Sequence, residues 1–323
     1  MATSSLTSCD STYGDFFRGG RALITGGAGF IGSHLGRRLL ELGAAVVVLD
    51  DLSTGKVENV PAGAELVRRS ILDEGAMAEA VGGCDWVFHE AAMVSVPQSV
   101  EEPERCFAIN VTGTQRVLES ARQAGVKRVV FASSSAVYGG DPSLPSRESD
   151  TPDPVSPYAA SKLASEHLLR AYGSCFDLST VSLRYFNVFG PGQSDDSGYA
   201  AAIAAFQKAL RGGQTPVIYG DGKQTRDFVP VENVVHANLL AASAAEDLRG
   251  EAFNVGLGKR VNLLEVLDSM ASILRVEVEP RFAEERAGDV RDSEASIVRA
   301  GEVLGYAPIL GFREGITRLL GRG

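Results

Sequence analysis

Short apolar runs recur along the chain at Ala22–Thr25, Ala45–Asp50, Ala64–Val67, Asp85–His89, Arg128–Ser133 and Ser179–Tyr185. Each is strand-sized and lacks the in–out alternation of a half-exposed strand, so both of its faces are expected to be covered. Between the runs, apolar residues recur at helical spacing from about Phe30 to Leu42, with Gly43 as a stop, and again over Glu104–Ala124 and Tyr158–Tyr172. Strands apolar on both faces that alternate with helices predict a doubly wound α/β fold with a parallel sheet. Beyond Asn187 the alternation weakens. Glycine, proline and polar residues gather at 190–198 and 220–225, a helix is expected over Val234–Ala245, and a further strand over Ala252–Val255. Residues 1–20 are rich in serine and threonine and read as a disordered tail without an apolar export signal.

The chain has 323 residues, enough for one large or two ordinary domains at roughly 100–200 residues each. Hydrophobic residues make up 44% and charged residues 22%, so material for a core is ample. No run approaches the roughly 20 apolar residues of a membrane-spanning helix. The formal charge of −10 disfavours nucleic acid as a partner but leaves room for one cationic pocket. Cys9, Cys84, Cys106 and Cys175 have neither zinc-ligand nor C-x-x-C spacing and are expected to be reduced thiols. No metal site is expected.

Directly after the first strand comes Gly26-Gly27-Ala28-Gly29-Phe30-Ile31-Gly32. Gly26 permits a tight turn, Gly29 lets the backbone approach a pyrophosphate, and Gly32 lets helix and strand pack closely. The helix that starts here offers N–H groups and a positive dipole end. Asp50 closes the next strand, where a carboxylate accepts from an adenosine ribose. The following Asp51-Leu52-Ser53-Thr54-Gly55 holds no arginine for a 2′-phosphate, so NAD is expected rather than NADP. Asp51 reads equally as a cofactor contact or a solvated loop acid.

Tyr158 and Lys162 stand at i and i+4, on one face of a helix. A free tyrosine, with a pKa of about 10, is a poor base at neutral pH. A neighbouring ammonium favours the phenolate and lowers that value. Ser133-Ser134-Ser135 ends an apolar strand, which is where ligands meet a doubly wound sheet.

Taken together, Gly26–Gly32, Asp50, His89-Glu90-Ala91-Ala92, Asn110, Ser133–Tyr138, Tyr158/Lys162, Arg184-Tyr185-Phe186-Asn187, Arg226-Asp227-Phe228 and Arg286–Val290 make the chain resemble the extended short-chain dehydrogenase/reductase family from about Arg21 onward. Within that family it is most similar to the nucleotide-sugar 4-epimerases. The resemblance implies a Rossmann domain binding NAD (21–186 plus 228–256) and a smaller α/β domain binding the nucleotide sugar (187–227 plus 257–323). It implies Tyr158 as the base, Lys162 as its partner on the nicotinamide ribose, and Ser134 on the sugar 4-hydroxyl. Gly26, Gly29, Phe30, Ile31, Gly32, Asp50, Asp51, Ser70, Ile71, Ala91, Ala92, Asn110, Ser133 and Tyr185 would line the cofactor. Ser70 departs from the usual acid at its position, and Asn110 also reads as a helix cap. Ser95, Ser135, Asn187, Arg226, Arg286, Asp289 and Ser293 would line the substrate, with Arg226 and Arg286 clamping its diphosphate. Surface ion pairing is the alternative reading of either arginine.

The subclass rests on what Ser134-Ser135-Ala136 lacks. Similar dehydratases carry Thr-Asp-Glu there, similar decarboxylases an acid at 136, and similar 3,5-epimerase-reductases a cysteine at 135. What remains needs only reversible hydride transfer, and the resemblance implies reversible C4 epimerisation of a UDP-hexose through a 4-keto intermediate with tightly held NAD. The small Ser293, and the resemblance of Ala91–Ser99 to the N-acetyl-accepting group, favour UDP-N-acetylglucosamine, alone or beside UDP-glucose. The rival readings are an epimerase of UDP-glucuronate or another nucleotide sugar, a net oxidoreductase with exchangeable NAD, and a non-catalytic NAD-binding protein. A cytoplasmic homodimer, paired through a four-helix bundle of Glu104–Ala124 and Tyr158–Tyr172, is the family expectation.

Overall fold

The structure, a computed structural model, describes residues 13–193, 201–284 and 290–321. Seven parallel strands form its central sheet. They are β1 (Arg21–Thr25), β2 (Ala45–Leu49), β3 (Glu65–Val67), β4 (Trp86–His89), β5 (Arg128–Ser134), β6 (Ser179–Tyr185) and, after four short strands, β11 (Glu251–Val255). The four are β7 (Asn187–Phe189), β8 (Val217–Tyr219), β9 (Thr225–Arg226) and β10 (Phe228–Pro230). The sheet order is β11-β6-β5-β4-β1-β2-β3, a doubly wound Rossmann-type arrangement. Its order reverses at β1, which is flanked by β2 and β4.

Successive side chains explain why these strands are apolar throughout. Leu23, Val47, Val87 and Val129 face one core, and Ile24, Val48, Phe88 and Val130 face the other. The helices that cover the two faces are α1 (Phe30–Glu41), α2 (Glu74–Val81), α3 (Val96–Glu101), α4 (Pro103–Phe107), α5 (Gly113–Gln123), α6 (Pro157–Cys175), α7 (Ala201–Arg211) and α8 (Val231–Ser243). Leu35 and Leu39 of α1 lie in one core with Leu239 of α8, while Val117 of α5 and Leu169 of α6 lie in the other. A third core joins Phe189, Phe206, Ile218 and Phe228 to α9 (Leu263–Leu274) and α11 (Phe312–Leu319), with α10 (Val298–Leu304) between these two in the chain. No helix of the described residues is long and apolar enough to cross a membrane.

Two expectations need correction. The helix expected over Glu104–Ala124 is α4 and α5 joined by a π-helical turn at Ala108–Thr112. The Asn110 carbonyl there accepts from the Thr114 hydroxyl at 2.5 Å and the Ser165 hydroxyl at 2.9 Å, so side chains take up part of the bonding of the helix ladder. The disordered tail expected over residues 1–20 is also overturned from Tyr13 onward, while residues 1–12 lie outside the described residues. Phe17 is buried with its ring 5.0 Å from that of Trp86, and the Tyr13 hydroxyl is hydrogen-bonded to His236 Nδ1. Tyr13, Phe16 and Phe17 are interrupted by Gly14 and Asp15 and form no apolar run of strand or helix length, so the pattern hid them. Phe17→Ala is expected to lose about 3–5 kcal/mol of stability, read from the midpoint of urea unfolding.

Candidate active site

The glycine turn is built by backbone contact. Gly26 has φ +71°, and a Cβ there would lie 2.7 Å from Ala91 N. A Cβ on Gly32 would lie 2.4 Å from Gly26 O. Gly29 caps α1 without a side-chain hydrogen bond, and no acid occupies the first turn, so the N–H groups around Phe30 and Ile31 suit an anion. Asp50 is buried, and its carboxylate accepts from Ala28 N at 2.9 Å and Leu52 N at 2.8 Å. Burial pushes its pKa up, and lone pairs remain for a ribose hydroxyl. The turn, the first helical N–H groups and this acid fit the dinucleotide that the sequence implies.

Other expected cofactor contacts have structural duties. Asp51 is exposed and accepts from Ser53 N at 2.9 Å in its own loop. Ser70 Oγ accepts from Leu72 N at 3.2 Å, and Ile71 is buried beneath Gly113. Asn110 is buried and satisfied. Its Nδ2 donates to Met93 O at 3.0 Å and Ser161 Oγ at 2.9 Å, and its Oδ1 accepts from Met93 N at 2.8 Å. It thereby ties the loop that carries Ala91 and Ala92 to α6.

The expected catalytic groups meet at the carboxyl end of β5. Tyr158 and Lys162 lie in the first turns of α6, which is capped by Ser156. Tyr158 N donates to Ser99 Oγ at 3.2 Å, a helix-entry contact that the sequence reading missed because its partner is distant in the chain. Lys162 Nζ donates to Ala132 O at 2.7 Å and lies 5.9 Å from the Tyr158 ring. Burial pushes its pKa down to about 8. Ser134 is half-buried and accepts from Ala136 N at 3.1 Å, which leaves its hydroxyl proton able to donate. Ser135 stands beside it, also half-buried.

Ser133 instead points away into a buried network, donating to Glu166 Oε1 at 2.5 Å. Arg184 grips Glu166 through two nitrogens, at 2.9 and 2.7 Å, and donates to the Tyr138 hydroxyl at 2.9 Å. His89 is buried with both ring nitrogens bonded, to Thr25 at 2.7 Å and Thr114 at 2.9 Å. Burial pushes its pKa down to about 3. Tyr185 donates to Glu90 Oε1 at 2.9 Å.

A second group gathers beside the third core. Asn187 Nδ2 donates to Ser293 Oγ at 3.3 Å, and Ser293 N donates to Thr225 O at 3.1 Å. Arg226 donates to Arg291 O at 2.9 Å in the same segment. Asp227, seen in sequence only as part of a motif, accepts from Leu257, Gly258 and Ala295 N–H groups at 2.7, 2.9 and 3.2 Å. It fixes the strand that carries Arg226, and burial pushes its pKa up to about 6. Ser95 caps α3 by accepting from Gln98 N at 3.3 Å. Arg286 and Asp289 lie outside the described residues. Among the described residues no group of three or more His, Cys, Asp or Glu is arranged to hold a metal ion.

The model of the NAD dependent epimerase/dehydratase family matches residues 22–256. The chain belongs to this family. Its epimerase/dehydratase relatives include the UDP-glucose 4-epimerase of Mycolicibacterium smegmatis, 42% identical over 307 residues, which span 92% of this chain and 96% of that one. A UDP-N-acetylglucosamine 4-epimerase from Methanobrevibacter ruminantium, solved with UDP-N-acetylmuramic acid, superposes with TM-score 0.89 at 35% identity over 94% of this chain and 98% of its own. A Thermus thermophilus UDP-glucose 4-epimerase, solved with NAD, gives TM-score 0.84 at 39% identity over the same shares.

Replacing Arg184 by Met removes the guanidinium that grips Glu166 in the core. A loss of about 3–5 kcal/mol is expected in denaturant unfolding, against about 1–3 kcal/mol for Tyr138→Phe.

Proposed function

We propose that the protein is an NAD-dependent 4-epimerase of UDP-hexoses. The observation that carries this reading is the meeting of Tyr158, Lys162 and Ser134 at the end of β5, beside a turn at Ser135–Ala136 that presents no carboxylate. Elimination and decarboxylation chemistry of this family both draw on an acid there, whereas epimerisation needs only a proton relay and a reversible redox partner. The 4-epimerase relatives that span nearly the whole chain support the same reading.

Tyr158 takes the proton of the sugar 4-hydroxyl, Ser134 holds that oxygen, and the Lys162 ammonium favours the phenolate. NAD, when bound, supplies hydride transfer at C4 in both directions. Gly26, Gly29, Phe30, Ile31, Gly32 and Asp50 hold the dinucleotide, with Tyr185, Ala91 and Ala92 near its nicotinamide end. Asn187, Arg226 and Arg286 hold the diphosphate and Asp289 lines the substrate, so the keto sugar turns over about a fixed anchor before Tyr158 returns its proton. Ser293 walls the hexose pocket, and its small side chain leaves space for an N-acetyl group. NAD is held by 21–186 plus 228–256 and the nucleotide sugar by 187–227 plus 257–323. The helices α4, α5 and α6 pair with those of a second copy, a reading supported by exposed Val100 and Phe107 in this region. The setting is cytoplasmic.

Purified protein incubated separately with UDP-N-acetylglucosamine and UDP-glucose, without added cofactor, is expected to form the matching galacto sugars by proton NMR. Conversion of neither, even with NAD added, overturns the reading for both. Tyr158→Phe is expected to lower the rate by about 10²–10⁴-fold. Lys162 is charged below its pKa of about 8 and neutral above it. Turnover is therefore expected to fall as pH rises through about 8, read from a pH–rate profile.

A further inference from the structure

Glu90 is a half-buried acid that the proposed reaction does not use. It follows β4 directly, beside the Gly26 turn, and its Oε1 accepts from the Tyr185 hydroxyl at 2.9 Å. Tyr185 is the last residue of β6 and accepts in turn from Asn238 Nδ2 at 2.7 Å. Asn238 is fully buried on α8, where its amide also donates to Val234 O at 2.9 Å. A phenol has one proton. With Asn238 donating to its oxygen, Tyr185 sends that proton to Glu90, and an ionised carboxylate is the acceptor such a donor favours. Three elements, α8, β6 and the end of β4, thus fix a carboxylate across the end of the sheet.

β5 runs between β4 and β6, and His89 pairs with Phe131, so Glu90 leaves β4 level with Ala132, whose carbonyl accepts from the Lys162 ammonium. Lys162 is almost fully buried, its ammonium donates to a neutral carbonyl, and among the described residues no carboxylate makes an ion pair with it. A buried ammonium without a counter-charge is poorly tolerated. We propose that Glu90, clamped by Tyr185 and Asn238, is a positioning residue whose charge keeps Lys162 an ammonium while Tyr158 works.

The other groups around Lys162 do not replace it. Glu166, on α6 itself, is committed to Arg184. His89, on β4, is held neutral, with its pKa pushed down to about 3. Cys106, on α4, donates its thiol to Ser161 at 3.7 Å. Glu90 is foremost among the groups that hold the Lys162 pKa up against burial. Reciprocally, burial pushes Glu90 up to about 7, while the Tyr185 hydrogen bond and Lys162 hold it down. The two therefore titrate as a coupled pair, each charge favouring the other.

The catalytic half of this inference rests on the epimerase reading, whereas the charge of Lys162 is measurable without turnover. Protein labelled with [6-13C]lysine gives the Lys162 resonance by NMR, assigned by its loss in Lys162→Met. Glu90→Gln is expected to lower its titration midpoint by about one pH unit, and Tyr185→Phe by less in the same direction. The alkaline limb of UDP-glucose epimerisation should move down with the midpoint in Glu90→Gln, which a merely structural role would leave in place. In the wild-type protein the same resonance should show a second inflection near pH 7 as Glu90 titrates, a test that needs no variant to fold. A midpoint unchanged or raised in Glu90→Gln, or no second inflection, overturns the proposal. A lowered midpoint in a protein that turns over no UDP-hexose supports the charge pairing and overturns the epimerase reading instead.

Discussion

The buried fork between Glu166 and Arg184 holds the reacting end of β5 in place. Glu166 comes from α6 and Arg184 from β6, and Ser133 of β5 donates into the same carboxylate. The guanidinium continues to Tyr138, whose hydroxyl reaches Asn254 on β11 at 2.7 Å. Asn254 is bonded in turn to the Ser146 and Ser296 carbonyls at 2.9 and 3.2 Å. One cation therefore aligns three strands, the helix of Tyr158 and Lys162, and the segments that approach Ser293. Buried ion pairs contribute little net stability, and their best-attested use is to fix one arrangement among several. The arrangement fixed here is the spacing of Ser134 from Lys162.

The site draws its residues from two cores. Ser134, Tyr158 and Lys162, the groups proposed to handle the proton, lie on β5 and the helix α6 packed on the central sheet, while Asn187, Arg226 and Ser293 belong to the segments around β7, β9 and β10. Asp227 is the fastener between them. Its carboxylate takes N–H groups from 257–258 and 295, while its own carbonyl accepts from Asn187 N at 3.0 Å. Backbone donors hold a strand more rigidly than long side chains would, because little conformational freedom remains to be lost. An anchor for a diphosphate placed on such a strand keeps its distance from β5.

What the sequence revealed and what it hid follow from the range of the interactions. The strands, the glycine turn and the Tyr158/Lys162 pair were legible because each is a local pattern whose meaning lies within a few residues. Asn110 was legible as important, yet its main use is structural: it binds Met93 and Ser161, on two other segments. Ser99, Glu90 and Asp227 were visible only as members of motifs. Their roles depend on Tyr158, Tyr185 and Ala295, partners that no spacing rule connects. The anchoring of Tyr13 and Phe17 stayed hidden for the same reason, since His236 and Trp86 lie far along the chain.

The π-helical turn at Ala108–Thr112 also sets the phase of what surrounds it. Each residue of an α-helix advances the next by about 100° around its axis. One residue too many, accommodated as a π turn, lets α4 and α5 keep separate rotational settings on one continuous rod. Cys106 and Asn110 are thereby turned towards Ser161, while Val117 and Leu118 beyond the turn face the sheet. Deleting a single residue from 108–112 would regularise the helix and swing α4 by about 100° relative to α5. Chain length within this turn is therefore constrained alongside the identity of Asn110, whose amide reaches Met93 and Ser161 only from this rotational setting.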